Sequence, residues 1–156
     1  MKRIFLIMAV LYNSLLMAQN EIEPNSKVTP PAKIQEVFQK EYPNVKPVWI
    51  LEYVGDDNDE IRYEAKFKSK DGEALAVYDN LAILRAFELA IPTSKVPKVA
   101  LSYLKQYYPK SKIGECSIVV DDKNKTTYEV GIQNNSKFYD VVFDQKGGFN
   151  VIIQKD

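Results

Sequence analysis

The chemistry open to this chain is bounded first by the side chains it lacks. Its 156 residues include no histidine and a single cysteine, Cys116. Without imidazole there is no Ser-His-Asp or Cys-His couple and no histidine-based zinc site, and one thiol cannot build a thiolate zinc site or an iron–sulfur cluster. The glycines at 55, 72, 114, 131, 147 and 148 form neither a phosphate loop nor a dinucleotide-binding turn. Ser102-Tyr103-Leu104-Lys105 has the S-x-x-K spacing of penicillin-binding enzymes, but no S-D-N or K-T-G partner accompanies it. Both side chains fit the polar side of a helix. Gly55-Asp56-Asp57-Asn58-Asp59-Glu60 clusters oxygen ligands without the glycine and glutamate spacing of an EF-hand, and reads as a solvated hairpin loop. The expectation is a protein with no catalytic residue, no metal site and no cofactor.

Composition narrows the partners. Charge is balanced at 21 basic and 21 acidic residues, so nothing marks a nucleic-acid surface. Residues 1–18 combine Lys2 and Arg3 with a nearly unbroken apolar run and the small Ala18, the pattern of a secretory signal peptide. A retained membrane anchor is the competing reading. The run is short for a bilayer span, which needs about 20 apolar residues, and Asn13-Ser14 interrupts it. No other stretch is apolar enough to span a membrane, so the mature protein is expected in the periplasm or outside the cell. Residues 19–27 read as a linker. Cys116 lies in an apolar-rich strand candidate and reads as a core thiol, with a disulfide between chains or a reactive nucleophile as the competing readings.

The elements that would position any site come in two matching sets. Pro31 and Tyr42-Pro43 bracket one segment, and Pro97 and Tyr108-Pro109 bracket another at the same spacing. Proline suits the first turn of a helix and disfavours helix at the residue before it, so each segment is a short helix. Ile34, Val37, Phe38 and then Ala100, Tyr103, Leu104, Tyr107 form one apolar stripe on each helix. Four strand candidates follow each: 46–54, 61–69, 73–79 and 82–90, then 112–120, 126–133, 137–144 and 149–155. A shift of 65 residues sets Tyr63-Glu64 on Tyr128-Glu129 and Tyr78-Asp79 on Phe143-Asp144. Trp49 reads as an anchor between the first helix and its sheet. The expected class is α+β, two tandem units (28–91 and 92–156), each a helix packed on a four-stranded antiparallel sheet.

The ordered set Tyr42-Pro43, Trp49, Tyr63-Glu64, Tyr78-Asp79, Tyr108-Pro109, Tyr128-Glu129 and Phe143-Asp144 resembles the β-lactamase-inhibitor-like, PepSY-like family of exported proteins typical of Bacteroidetes. The resemblance covers about 28–156. It implies tandem helix-on-sheet units, a periplasmic or secreted location and no known enzymatic activity. The inhibitor that lends the family its name grips its enzyme with its sheet surface, and PepSY domains elsewhere have been proposed to inhibit peptidases. Neither role carries over residue by residue, and this chain lacks the inhibitor's disulfides.

Alternation then suggests where a partner would bind. On the sheet face away from the helices the second strand is charged, with Arg62, Glu64, Lys66 and Lys68. The third and fourth strands set Leu75, Val77, Ile83 and Phe87, then Phe138, Val142 and Ile152, on that face. Apolar residues on both faces imply that something covers the outer one. Mutual packing of the units, or a register misread by one residue, is the plain explanation. The sharper one makes Phe87, Phe138, Val142, Ile152, Leu75 and Val77 the contact surface for a protein or peptide partner, with Phe87 and Phe138 as anchors. The function expected is an exported, non-enzymatic binding protein, with inhibition of a secreted or periplasmic enzyme as its specific form. The alternative is a structural or envelope-associated protein that self-associates through its sheet face.

Overall fold

A computed structural model describes residues 28–54 and 60–155. The signal peptide expected at 1–18, the linker at 19–27 and the carboxylate loop at 55–59 lie outside the described residues. Among the described residues there are two helices, α1 (Ala32–Glu41) and α2 (Lys98–Tyr107), with a short 3-10 turn (Thr93–Lys95) before α2. Strands β1 (Val48–Val54), β2 (Glu60–Ser69), β3 (Gly72–Asp79) and β4 (Leu84–Ala90) follow α1. Strands β5 (Lys112–Asp121), β6 (Thr126–Asn134), β7 (Lys137–Asp144) and β8 (Phe149–Lys155) follow α2.

The expected α+β class, with two separate helix-on-four-strand units, is overturned. The eight strands form one antiparallel sheet in sequence order from β1 to β8, and the helices are only ten residues each, so the fold is mainly β. The reason lies in what happens to β4. A four-stranded meander would leave its last strand as an open edge, with backbone donors and acceptors unmet. Here the ladder continues instead, and just past β4 the Ile91 N–H still donates to the Cys116 carbonyl on β5 at 2.8 Å. Periodicity reports which face a residue takes, not what pairs with the strand's far side. By compactness the chain divides between Phe87 and Glu88, inside β4.

In the unit up to Phe87, α1 starts at Pro31, whose carbonyl accepts from the Ile34 and Gln35 N–H groups. Its C-terminal end is closed where Tyr42 N–H donates to Phe38 O at 2.8 Å. Phe38 is fully buried, with its ring 5.1 Å from Phe67, 5.4 Å from Trp49 and 5.1 Å from Tyr42. Trp49 therefore does anchor helix to sheet, and it also lies 6.2 Å from Tyr78. Its register partner is Ala65, which in turn opposes Ala76. Small alanines on the helix side leave room for this aromatic cluster.

In the unit from Glu88, the buried core joins Val96, Ala100 and Leu104 of the α2 region to Cys116, Val130, Ile132, Val141 and Phe143 of the sheet. Cys116 is a free, buried thiol, 3.6 Å from Thr93 Oγ1, and burial pushes its pKa up. Tyr107 departs from its expected place in the α2 stripe. It ends the helix exposed, its ring 4.5 Å from Tyr103.

The aspartates that end strands have a shared local cause. Asp144 Oδ1 accepts from the Lys146 and Gly148 N–H groups, both at 2.8 Å, and Asp79 Oδ1 accepts from those of Leu81 and Ile83, both at 2.9 Å. Each carboxylate thus closes the following turn. In the β7–β8 turn Gly147 takes φ 87°, and a Cβ there would lie 2.9 Å from both Ala100 N and Pro97 Cβ. Gly147→Ala is expected to cost about 1–3 kcal/mol from backbone strain alone. Thermal melting checks it, and an unshifted midpoint would mean that Gly147 does not hold its positive φ.

Candidate functional site

The site is built from the registers inward. Because Phe38 meets Trp49 and Phe67, the residues Trp49, Tyr63, Ala65, Phe67, Ala76 and Tyr78 share the α1 face of the sheet. Glu64, Leu75 and Val77 take the opposite face, since neighbouring residues on a strand point to opposite sides. All three are buried, with Leu75 at 0% and Val77 at 2% exposure. They sit on the face expected from alternation but offer no free surface there. Phe87 is placed differently: its ring stacks on Tyr42 at 6.3 Å and 12°, which puts it on the α1 face.

In the later unit, Tyr103 of α2 meets Phe143 edge-on at 5.7 Å, and Phe143 opposes Tyr128. That fixes Tyr128, Val130, Ile132, Tyr139, Val141 and Phe143 on the α2 face. Ile152 joins them, because it opposes Val141 and packs on the same core. Alternation puts Ile152 on the other side because it assumes an unbroken register. In the structure Phe143 opposes Phe149 while Val142 opposes Val151, so Asn150 is an extra residue. One inserted residue flips every side chain beyond it.

The face opposite α2 keeps Phe138 and Val142 of the six expected contact residues, both half-buried. Their neighbours there are Ser117 and Val119 on β5, Thr127, Glu129 and Gln133 on β6, Asp140 on β7, and Val151, Ile153 and Lys155 on β8. Val142 opposes Glu129 on one side and Val151 on the other, and Phe138 opposes Gln133 and Lys155. Asp140 and Lys155 form an ion pair at 2.6 Å, both side chains largely buried.

Glu129 is the centre of this row. It is 8% exposed, with Ser117 opposite it on β5. Burial pushes its pKa well above the usual carboxylate range, the Glu88 and Asp140 carboxylates push it further, and Lys155 opposes them. Glu88 itself is 2% exposed, near the end of β4. Alternation marks Glu64 and Glu129 as members of the outward face and so suggests exposure. Neither that burial nor the role of Glu88 is legible, because both depend on what lies across neighbouring strands.

Chemically the row is acid, hydroxyl, ion pair and apolar side chains, with the Ser117 hydroxyl opposite the Glu129 carboxyl. Among the described residues no three acidic or thiol groups converge closely enough to hold a metal ion.

No known family profile matches this chain, and no curated protein matches it. Solved structures do. A Bacteroides eggerthii protein described as periplasmic superposes with a TM-score of 0.66 at 14% identity, over 81% of this chain and 90% of that one. A DUF2874 family protein from Bacteroides uniformis gives 0.64 at 18% identity, over 81% and 90%. A BLIP-like protein from Bacteroides fragilis gives 0.58 at 20% identity, over 81% and 87%. In fold, this chain is similar to a BLIP-like protein. At these identities the likeness is one of architecture. The BLIP-like fold supplies a broad sheet face, and the side chains on it are this chain's own.

Proposed function

We propose that this chain is an exported, non-enzymatic binding protein of the periplasm or cell exterior, and that it holds a protein or peptide against the sheet face opposite α2. One observation carries the reading. Phe138 and Val142 lie on that face beside Glu129 and the Asp140–Lys155 pair, an apolar anchor next to largely desolvated charge. Interfaces combine these two elements, apolar area for affinity and fixed charges for register and partner choice. The location is supported by the B. eggerthii neighbour, described as periplasmic. No helix among the described residues is long and apolar enough to cross a membrane. Inhibition of a secreted or periplasmic enzyme is the specific form favoured by the likeness to a BLIP-like protein, an argument from fold analogy.

The test is capture from an envelope extract of the native organism. A partner retained by the wild-type chain is expected to be lost with Phe138→Glu and with Val142→Lys, while the melting temperature of at least one variant stays near wild type. Equal retention by both folded variants would remove this face from consideration.

A further inference from the structure

β1 and β8 end the strand order, so among the described residues each has one strand neighbour. An open strand edge presents backbone N–H and C=O groups to any extended chain, and natural edges are blunted by lysine, proline or a bulge. Val48–Val54 itself has none of these, Lys46 and Pro47 standing just before the strand begins. Its register with β2 runs unbroken from Val48↔Lys66 to Val54↔Glu60, and its one charged residue is Glu52. β8 has both a lysine, Lys155, tied to Asp140, and an irregularity at Asn150. Large apolar side chains also stay in water along β1, with Val48 at 52% and Tyr53 at 57% exposure.

We propose that β1 is a dimerisation edge, pairing antiparallel with β1 of a second copy about a twofold axis at Leu51. The strand's own sequence selects that register. With Leu51 opposite itself, Ile50 meets Glu52, Trp49 meets Tyr53, and Val48 meets Val54. No like charges are opposed, and the two Trp49–Tyr53 pairs fall on the α1 face, where aromatic cross-strand pairs stabilise a sheet. An axis at Glu52 would set two carboxylates against each other. An axis at Ile50 would bring Pro47, which has no N–H, opposite Tyr53. The twofold arrangement is closed, whereas β1 against β8 of the next copy would be head-to-tail and propagate as a filament. The pairing explains why Tyr53 is left exposed beside the half-buried Trp49.

Sedimentation of the exported, processed chain is expected to give the mass of two chains. The Val48→Lys/Tyr53→Lys variant is expected to give the mass of one, with an unchanged far-UV spectrum. Under mild oxidation Leu51→Cys is expected to cross-link between copies and Tyr53→Cys is not, since only position 51 meets itself; the native Cys116 is buried and does not compete. A wild-type chain that stays monomeric, a dimer that survives both lysines, cross-linking at 53 but not 51, or filaments would each overturn the proposal. Partner capture through Phe138 is read separately, because Phe138 lies on β7 and not on the edge.

Discussion

Phe38→Ala is expected to lower the melting temperature by roughly 10 °C. The ring is fully buried and touches Tyr42, Trp49 and Phe67, with centroids between 5.1 and 5.4 Å. Removing a buried phenylalanine costs about 3–5 kcal/mol, because transfer energy is lost and the cavity closes only partly. In a domain of this size about 1 kcal/mol moves the midpoint by roughly 2–4 °C. The loss is also a large share of the roughly 5–15 kcal/mol that holds a typical domain together. The Trp49 environment gives a second readout, since its fluorescence reports the missing neighbour directly. A variant with wild-type melting and emission would show that α1 does not seat on the sheet through Phe38. Leu104→Ala is the matching change on α2, expected to cost about 2–5 kcal/mol.

Glu129→Gln is expected to stabilise the protein at neutral pH and to lose that advantage in mild acid. The sign follows from linkage. Burial first, then the Glu88 and Asp140 carboxylates, raise the Glu129 pKa above its ordinary 4.5. The folded state therefore holds the proton more tightly than the unfolded chain does. Stability from this group is fully present below about pH 4.5 and falls as pH rises toward the folded value. Glutamine keeps the shape and removes the charge, so the variant's curve should lie above wild type at pH 7 and converge with it near pH 4.5. Asp79 and Asp144 act in the opposite sense and in a separate window. Burial favours the protonated form of Asp79, but the Ile83 N–H, Arg85 and the Leu81 N–H outweigh it and hold the pKa below 3.8. The Gly148 and Lys146 N–H groups do the same for Asp144. Their contribution is present above pH 3.8 and lost on further acidification. Denaturant midpoints measured from pH 2 to 8 separate the two effects, and parallel curves for wild type and Glu129→Gln would place that carboxylate in water.

Local elements were legible in the residues themselves. The prolines at 31, 43, 97 and 109 mark both helices, because proline's missing N–H and fixed φ act within a turn or two of chain. Trp49 reads as an anchor, Cys116 as a core thiol, and Asp79 and Asp144 as strand ends, since each is set by its neighbours in sequence or by its own hydrophobicity. Composition alone, with no histidine and no second thiol, rules out histidine-assisted nucleophiles and imidazole or thiolate zinc sites.

Long-range contacts settle the rest. That β4 continues into β5, making one sheet, depends on hydrogen bonds between distant segments. That Phe87 and Ile152 face the helices, and only Phe138 and Val142 keep the partly open face, depends on registers that one residue such as Asn150 can shift. That Leu75, Val77, Glu64 and Glu129 are buried is not carried by their own alternation. Alternation is a two-residue rule, so it carries a side chain's face only as far as the strand stays regular. It carries no information about depth, which is set by neighbours brought in from elsewhere in the chain.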